Sequence, residues 1–183
     1  MRVRRTLTTA AAIFAALVLV AFGVFAYLRH TFQAGLPRYE GKTMPAFQLV
    51  DLEGRTWTQT DLAGKTAFIN VWATWCPPCR REMPDLQKLW ERVRTRPDVV
   101  LLTFNVDEAP EVVAPFVAKA GYTFPVLLAH DFVRNELKVQ GIPRNWVLDG
   151  SGVWRTDQIG LPMTLRSWVS WAEGLIETAR PQT

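Results

Sequence analysis

The chain has 183 residues, with 21 basic and 17 acidic side chains and a formal net charge of +4. The whole excess lies in residues 1–30, which hold four arginines and no acid, so charges balance over the rest of the chain. The basic character therefore does not indicate a nucleic-acid-binding protein.

The first recognisable segment is an uncharged run of 23 residues, 6–28, rich in Ala, Val, Leu and Phe. As a helix it is long enough to cross roughly 30 Å of hydrocarbon. A cleaved signal peptide has a shorter apolar core, about 7–15 residues, followed by small residues at the cleavage site. Here the run ends at Tyr27 and Leu28. We therefore predict a retained transmembrane helix that contacts the lipid bilayer through residues 6–28.

The charges on either side of this run are unequal. Arg2, Arg4 and Arg5 precede it, and only Arg29 and His30 directly follow. The positive-inside rule keeps the more basic flank in the cytoplasm. We predict a single-pass protein of the cytoplasmic (inner) membrane, with its C-terminal part in the periplasm or on the outer cell surface.

Three regions follow from this division. Residues 1–30 are predicted to form a cytoplasmic tip and the anchor. Residues 31–43, with Gly35, Pro37 and no clear periodicity, are predicted to form a tether. Residues 44–183 are enough for one domain with its own core.

The first half of this domain has the pattern of a βαβ unit. Residues 66–73 and 99–106 are apolar runs dense in Val, Phe, Ile and Leu, as expected for strands buried on both faces. Between them, apolar side chains recur at helical spacing over 77–94. This segment is predicted to be the crossover helix between two parallel strands.

The second half continues the alternation. We predict a helix over 110–120 ended by Gly121, a strand over 124–128 and a brief helix over 132–139. A hairpin of strands 145–148 and 153–159 around a tight turn, and a last amphipathic helix over 164–179, complete the domain. The predicted fold class is α/β, a mixed central sheet with helices on both faces.

The only two cysteines, Cys76 and Cys79, stand at the start of the 77–94 helix. There the helix dipole and unpaired N–H groups favour a thiolate at Cys76, and Cys79, one turn away, can resolve a mixed disulfide. A zinc site needs four ligands, and the only histidines, His30 and His130, are far apart in sequence. A structural staple closing so short a loop would stabilise little. We predict a redox-active Cys76–Cys79 disulfide, without a metal or other cofactor.

Residues 70–84, NVWATWCPPCRREMP, together with the order of elements, resemble thioredoxin-like proteins and specifically the membrane-anchored TlpA/ResA group. Residues 51–54 and 62–65 resemble the N-terminal hairpin region of that group, and Gly141-Ile142-Pro143 resembles its proline loop. The resemblance runs from about residue 44 to residue 179, and it implies a thioredoxin-like fold.

The resemblance also implies a surface for client proteins. The Ile142–Pro143 peptide would be cis and next to the dithiol, with the Ile142 backbone available to pair with an extended client segment; cis bonds occur almost only before proline. The residues alone favour an ordinary strand-entry proline, and it is the resemblance that implies the cis peptide. Trp75, Pro77 and Pro78, which flank Cys76, are predicted to contact clients.

Two positions near the dithiol concern proton transfer. Asn70 stands six residues before Cys76, where typical thioredoxins carry a buried aspartate, and an amide cannot take a proton. Glu82, three residues after Cys79, resembles the acidic residue that TlpA/ResA proteins keep there, and is our candidate acid/base. The alternative role for Glu82 is a first-turn acid that complements the helix dipole.

The chain departs from the group just after the proline loop. Arg144-Asn145-Trp146 replaces the more usual Thr-Thr-Phe. The partner preference of the group is therefore not carried over to this chain.

The function implied by the resemblance is a thiol–disulfide oxidoreductase that acts mainly as a protein-disulfide reductase. Expected clients are disulfides in apocytochrome c or copper-site assembly proteins, and the expected electron donor is a membrane protein of the CcdA or DsbD type. A dithiol oxidase remains an alternative, because Pro77 and Pro78 do not fix the redox potential. A second alternative is a metal carrier that binds Cu(I) through Cys76 and Cys79. His130 is expected to be a loop residue and not a metal ligand.

Overall fold

The structure, a computed structural model, describes residues 13–28, 38–107, 109–160 and 167–180. Contacts divide the chain into two compact units, Met1–Leu36 and Pro37–Thr183. In the first unit a helix, α1, covers residues 13–28. Within the described part of the chain, no helix combines the length and the apolar character needed to cross a membrane. The remainder of the predicted span, residues 6–12, and the arginines before it lie outside the described residues.

The second unit alternates strands and helices. Its strands are β1 (Gln48–Val50), β2 (Thr56–Thr58), β3 (Thr66–Trp72), β4 (Val99–Asn105), β5 (Val126–Leu128), β6 (Arg144–Leu148) and β7 (Trp154–Ile159). Its α-helices are α2 (Pro77–Val93), α3 (Val113–Ala120) and α4 (Trp168–Thr178). Shorter helical turns are 3-10 at Gln59–Leu62 and Pro110–Val112 and π-helical at Phe132–Glu136.

These elements agree with the predicted ones in order and type. The predicted helix over 110–120 starts with a 3-10 turn and ends, as predicted, where Gly121 adopts a φ of 71°, a conformation that glycine enters without a steric penalty. The predicted last helix starts later, at Trp168, with Ser167 as its N-cap. Residues 164–166 of that prediction lie outside the described residues.

The main sheet has five strands in the order β5-β4-β3-β6-β7. Strands β3, β4 and β5 are parallel, whereas β6 and β7 are antiparallel to their neighbours, so the sheet is mixed, as predicted. All seven residues of β3 are buried, which explains why its sequence is largely apolar. Helix α2 connects the parallel pair β3 and β4, and the predicted βαβ unit is confirmed.

The two faces of the sheet are covered differently. Helices α2 and α4 pack together on one face, where the Phe68 ring lies 5.8 Å from that of Trp168. On the other face, the rings of Phe47 and Phe132 lie 5.7 and 6.2 Å from that of Phe104. The helical cover of this second face is the π-helical turn Phe132–Glu136, which is shorter than the predicted helix over 132–139.

The predicted tether is wrong at its C-terminal end. Gly41 donates its N–H to the carbonyl of Trp154 at 2.8 Å, and the N–H of Trp154 donates to the carbonyl of Lys42 at 2.9 Å. Thr43 forms a β-bridge with Val153. Residues 41–43 therefore belong to the folded domain and cover the outer edge of β7.

The opposite edge of the sheet is covered in the same way. Asp51, in the turn after β1, forms a β-bridge with Leu127, and the N–H of Leu52 donates to the carbonyl of Val126 at 3.0 Å. The β1–β2 hairpin is a separate two-stranded sheet placed against β5. Both outer strands thus have backbone partners from the N-terminal part of the domain.

Candidate active site

Cys76 and Cys79 form a disulfide at the N-terminus of α2. Cys76 is the N-cap residue of the helix, as the sequence predicted, and Cys79 lies in its first turn. The exposed fractions are 3% for Cys76 and 0% for Cys79. The sulfur of Cys76 is therefore the one that retains contact with the surface.

Two prolines shape the start of this helix. Pro77 and Pro78 occupy its first two positions and have no N–H. The first N–H that the helix offers is that of Cys79, which donates to the Cys76 sulfur at 3.3 Å. In the reduced protein, this N–H and the helix dipole stabilise negative charge on Cys76. The arrangement favours Cys76 as the attacking nucleophile.

Trp75 is the large apolar side chain exposed beside the dithiol, with 58% of its surface accessible. It lines a groove of about 800 Å³ together with Val106, Val112 and His130. The adjoining Pro77 is exposed and Pro78 is half-buried. These side chains are where the sequence predicted client contacts, and they offer an apolar surface next to Cys76.

The loop that carries Trp75 is fixed by Asp107, which the sequence analysis did not identify. The Asp107 carboxylate accepts hydrogen bonds from the Thr74 N–H at 2.8 Å and from the Thr74 hydroxyl at 2.7 Å. Asn105, the last residue of β4, donates to the same carboxylate at 2.7 Å. The sequence could have indicated this role, because Asp107 comes just after the buried strand β4. Its position is at the edge of the sheet where β3 also ends.

The proline loop lies before β6. The Ile142–Pro143 peptide is cis, as the resemblance implied. Ile142 is half-buried and Pro143 is buried. Because Arg144 pairs with Val71 near the end of β3, this loop lies at the end of the sheet from which the chain continues to Cys76.

Glu82 is buried in the interior, with 2% of its surface accessible. Its Oε1 accepts a hydrogen bond from the Asn70 amide at 2.6 Å, and its Oε2 accepts one from the Asn145 amide at 3.4 Å. Burial raises the pKa of Glu82 to about 7, although these hydrogen bonds act in the opposite direction. A carboxyl group with this pKa can gain or lose a proton near neutral pH.

The alternative role of Glu82, as a first-turn acid, is wrong. Glu82 is the sixth residue of α2, and the first turn of this helix contains no acidic residue. The effect of the dipole on a charge falls off within that first turn. The side chain instead points into the protein interior, toward β3 and β6.

The departure from the family pattern at residues 144–146 lies in the protein interior. Arg144, Asn145 and Trp146 are all fully buried, so their side chains do not form a client surface. Arg144 and Trp146 both donate to the Asp157 carboxylate on β7. Asn145 donates to Glu82. This segment shapes the interior behind the proline loop.

Sequence reasoning missed Asn145 because its contacts are distant in sequence. Asn145 lies directly opposite Asn70 in the β3–β6 pairing, and the Asn70 amide donates to its side-chain oxygen at 2.8 Å. An asparagine within each of two largely buried strands could have pointed to this pair, but the register of the strands was needed to bring the two side chains together.

The sequence predicted no metal ligands. Among the residues that the structure describes, no three His, Cys, Asp or Glu side chains are grouped closely enough to hold a metal ion. His130, which was expected to lie in a loop, is instead helical, just before the π-helical turn, and its Nδ1 lies 3.3 Å from the carboxylate of its neighbour Asp131.

Comparison with known proteins finds relatives named as thiol-disulfide oxidoreductases or thioredoxin-like proteins. Thiol-disulfide oxidoreductase ResA from Geobacillus thermodenitrificans is 40% identical over 113 residues, which cover 61% of this chain and 64% of ResA. Thioredoxin-like protein YneN from Bacillus subtilis is 33% identical over 122 residues, which cover 66% of this chain and 72% of YneN. The chain thus spans less than two thirds of the length of this ResA relative and somewhat more of YneN.

The fold comparison extends over most of the second unit. The crystal structure of StoA from Bacillus subtilis matches with a TM-score of 0.60 and 28% identity, covering 73% of this chain and 96% of StoA. The profile of the AhpC/TSA family matches residues 41–155, a range that includes the disulfide, Glu82 and the proline loop. The fold is thioredoxin-like, and the chain belongs to the AhpC/TSA family.

Proposed function

We propose that this protein is a thiol–disulfide oxidoreductase that reduces disulfides in other proteins on the extracytoplasmic side of a membrane. The observation that carries this proposal is the position of Cys76, whose sulfur caps α2 and accepts the Cys79 N–H. The name of the ResA relatives, thiol-disulfide oxidoreductase, supports the same chemistry.

The reaction needs only the two cysteines and a client disulfide. The Cys76 thiolate attacks one client sulfur, forms a mixed disulfide and releases the first client thiolate. The Cys79 thiolate then attacks the Cys76 sulfur, breaks the mixed disulfide and releases the second client thiolate. The client gains two electrons and takes up two protons, and the protein is left with the Cys76–Cys79 disulfide.

In this scheme Glu82 is the acid/base for Cys79. It lies one helical turn after Cys79 on α2, and burial places its pKa at about 7. The ionised carboxylate takes the proton from the Cys79 thiol as that cysteine becomes the second nucleophile. When a donor reopens the disulfide, the protonated carboxyl returns the proton to the Cys79 thiolate.

Client contacts are assigned to the surface around Cys76. Trp75, Pro77 and Pro78 supply apolar contact, and the Ile142 backbone, before Pro143, pairs with an extended client segment. The exposure of Trp75 and the groove beside it support this assignment.

The proposed setting is a bilayer, with residues 6–28 as the anchor and the thioredoxin-like domain outside the cytoplasm. The clients are disulfides of apocytochrome c or of copper-site assembly proteins, because a reductase in an oxidising compartment needs a restricted set of substrates. A membrane dithiol carrier of the CcdA or DsbD type supplies the two electrons that reopen the Cys76–Cys79 disulfide.

The test is the midpoint potential of the full chain purified in detergent and equilibrated with redox buffers. A reductase is expected to have a midpoint near that of thioredoxin, about −270 mV. A midpoint near that of DsbA, about −120 mV, would instead identify a dithiol oxidase. Absence of any disulfide exchange with a protein substrate, together with tight Cu(I) binding, would replace the proposal with a metal carrier.

A further inference from the structure

We propose that Asn145 is a positioning residue that holds the Glu82 carboxyl group in place and keeps it able to exchange a proton. This inference deepens the proposed function and rests on the acid/base role of Glu82 in it. It follows from three side chains that meet in the interior between α2, β3 and β6.

The three side chains form a closed hydrogen-bonded set, which we call the amide–carboxyl triad: Asn70, Glu82 and Asn145. The Asn70 nitrogen donates to Glu82 Oε1 at 2.6 Å and to the Asn145 oxygen at 2.8 Å. The Asn145 nitrogen donates to Glu82 Oε2 at 3.4 Å. Each carboxylate oxygen therefore accepts one amide N–H, and the accessible surface of the three residues is 2% or less.

Asn145 acts on Glu82 in two ways. It donates directly to Oε2, and its oxygen accepts the second N–H of Asn70, which fixes the orientation in which Asn70 donates to Oε1. Because Asn70 and Asn145 are directly opposite in adjacent strands, the sheet holds both amides rigidly. Removing Asn145 therefore weakens both hydrogen bonds to the carboxylate.

The surroundings of Glu82 explain why amides are suited to this role. Three uncharged side chains act on its carboxyl group: Asn70 from β3, Asn145 from β6 and Trp168 from α4. The indole N–H of Trp168 lies outside hydrogen-bonding geometry, so the two amides are the donors. Cys79 precedes Glu82 on α2. A buried cation here would hold the carboxylate permanently ionised, and a purely apolar pocket would hold it permanently protonated. Two neutral donors leave both states accessible.

The test measures the protonation of Glu82 directly. The full chain, labelled with ¹³C at glutamate carboxyl carbons and purified in detergent, is titrated by NMR in its disulfide form, so that the cysteines do not titrate. The Glu82 signal is identified by its loss in Glu82→Gln. Wild type is expected to titrate near pH 7. Asn145→Leu, which keeps the shape but removes the amide, is expected to titrate about one pH unit higher.

Two further variants make the result decisive. Thr103→Val removes another buried polar group, whose hydroxyl donates to the Pro125 carbonyl at 2.9 Å, and is expected to leave the Glu82 midpoint unchanged. Asn145→Thr introduces a residue that strands favour but that is too short to bridge Asn70 and Glu82. It is expected to shift the Glu82 midpoint in the same direction as Asn145→Leu. It provides the measurement if Asn145→Leu does not fold.

A Glu82 midpoint in the folded Asn145 variants equal to that of wild type would overturn the inference. The acid/base role of Glu82 is tested separately, by the rate of thiol alkylation against pH in reduced wild type and Glu82→Gln. Superimposable alkylation curves would remove that role, while the NMR titration would still show whether Asn145 controls the carboxyl.

Discussion

The Arg144 guanidinium and the Asp157 carboxylate form a two-point ion pair between side chains that are both fully buried. The distances are 2.6 Å from Nε to Oδ1 and 2.8 Å from Nη2 to Oδ2. The same carboxylate accepts the indole N–H of Trp146 at 2.9 Å and the backbone N–H of Tyr39 at 3.0 Å. Asp157 thus joins β6, β7 and the segment that precedes β1.

We expect Asp157→Ala to be strongly destabilising. It removes the carboxylate that pairs with the buried Arg144 guanidinium, and breaking a buried ion pair by removing one partner typically costs about 3–5 kcal/mol. Urea denaturation of the full chain measures the loss of unfolding free energy. The control is Glu173→Ala, which removes an exposed ion pair with Arg92 at 3.1 Å and is expected to cost less than about 1 kcal/mol. Equal losses in the two variants would contradict the central role of Asp157.

The two cysteines are expected to fail in different ways when substituted. Cys76→Ser removes the attacking sulfur and should abolish disulfide exchange. Cys79→Ser keeps that sulfur but removes the resolving one, so mixed disulfides with clients should accumulate. Non-reducing gels of cells that express each variant detect such adducts. Adducts formed by Cys76→Ser and not by Cys79→Ser would reverse the assignment.

The stability of the oxidised protein is expected to depend on the protonation of Glu82. The pKa of Glu82 is about 7 in the folded protein and about 4.3 in an unfolded chain. Between these values the folded state retains a proton that the unfolded state has lost, so the unfolding free energy falls as pH rises. Relative to Glu82→Gln, wild type should lose about 3 kcal/mol between pH 4.5 and 8.

Urea titrations of both oxidised proteins at these two pH values provide the measurement. Subtracting the change in unfolding free energy of Glu82→Gln from that of wild type removes the contribution of all other titrating groups, since the two proteins differ only at residue 82. Parallel losses in the two proteins would mean that the Glu82 carboxyl group is not kept neutral by burial.

The proposed topology predicts the location of the C-terminus. Alkaline phosphatase, which is active only outside the cytoplasm, is expected to be active when fused after Thr183, because the arginines precede the apolar run. The same fusion without residues 1–30 should be inactive. A cytoplasmic reporter that is active at the same fusion point would refute the orientation.

The features that could be predicted from the sequence are those encoded locally. The start of α2 was predictable because Pro77 and Pro78 favour the first turn of a helix. The strands β3 and β4 were predictable because a strand buried on both faces is largely apolar along its whole length. The cis peptide before Pro143 was expected only from the resemblance.

The features that could not be predicted depend on side chains far apart in the chain. Asn145 reaches Glu82 across 63 positions, and Tyr39 reaches Asp157 across 118. Hydrophobic periodicity carries no information about such polar pairs, because one amide or carboxylate in a strand does not change its pattern. For this reason residues 144–146 were connected with partner preference, and residues 41–43 were assigned to a tether.

The backbone contacts along β5 and β7 have a consequence for behaviour at high concentration. An outer strand with unpaired backbone groups is a template on which another chain can add a strand and begin to aggregate. Here the N–H of Leu52 bonds to β5, while residues 41–43 pair alongside β7. Since these partners come from the same domain, two copies of the protein cannot join their sheets edge to edge without first displacing the N-terminal segment of each.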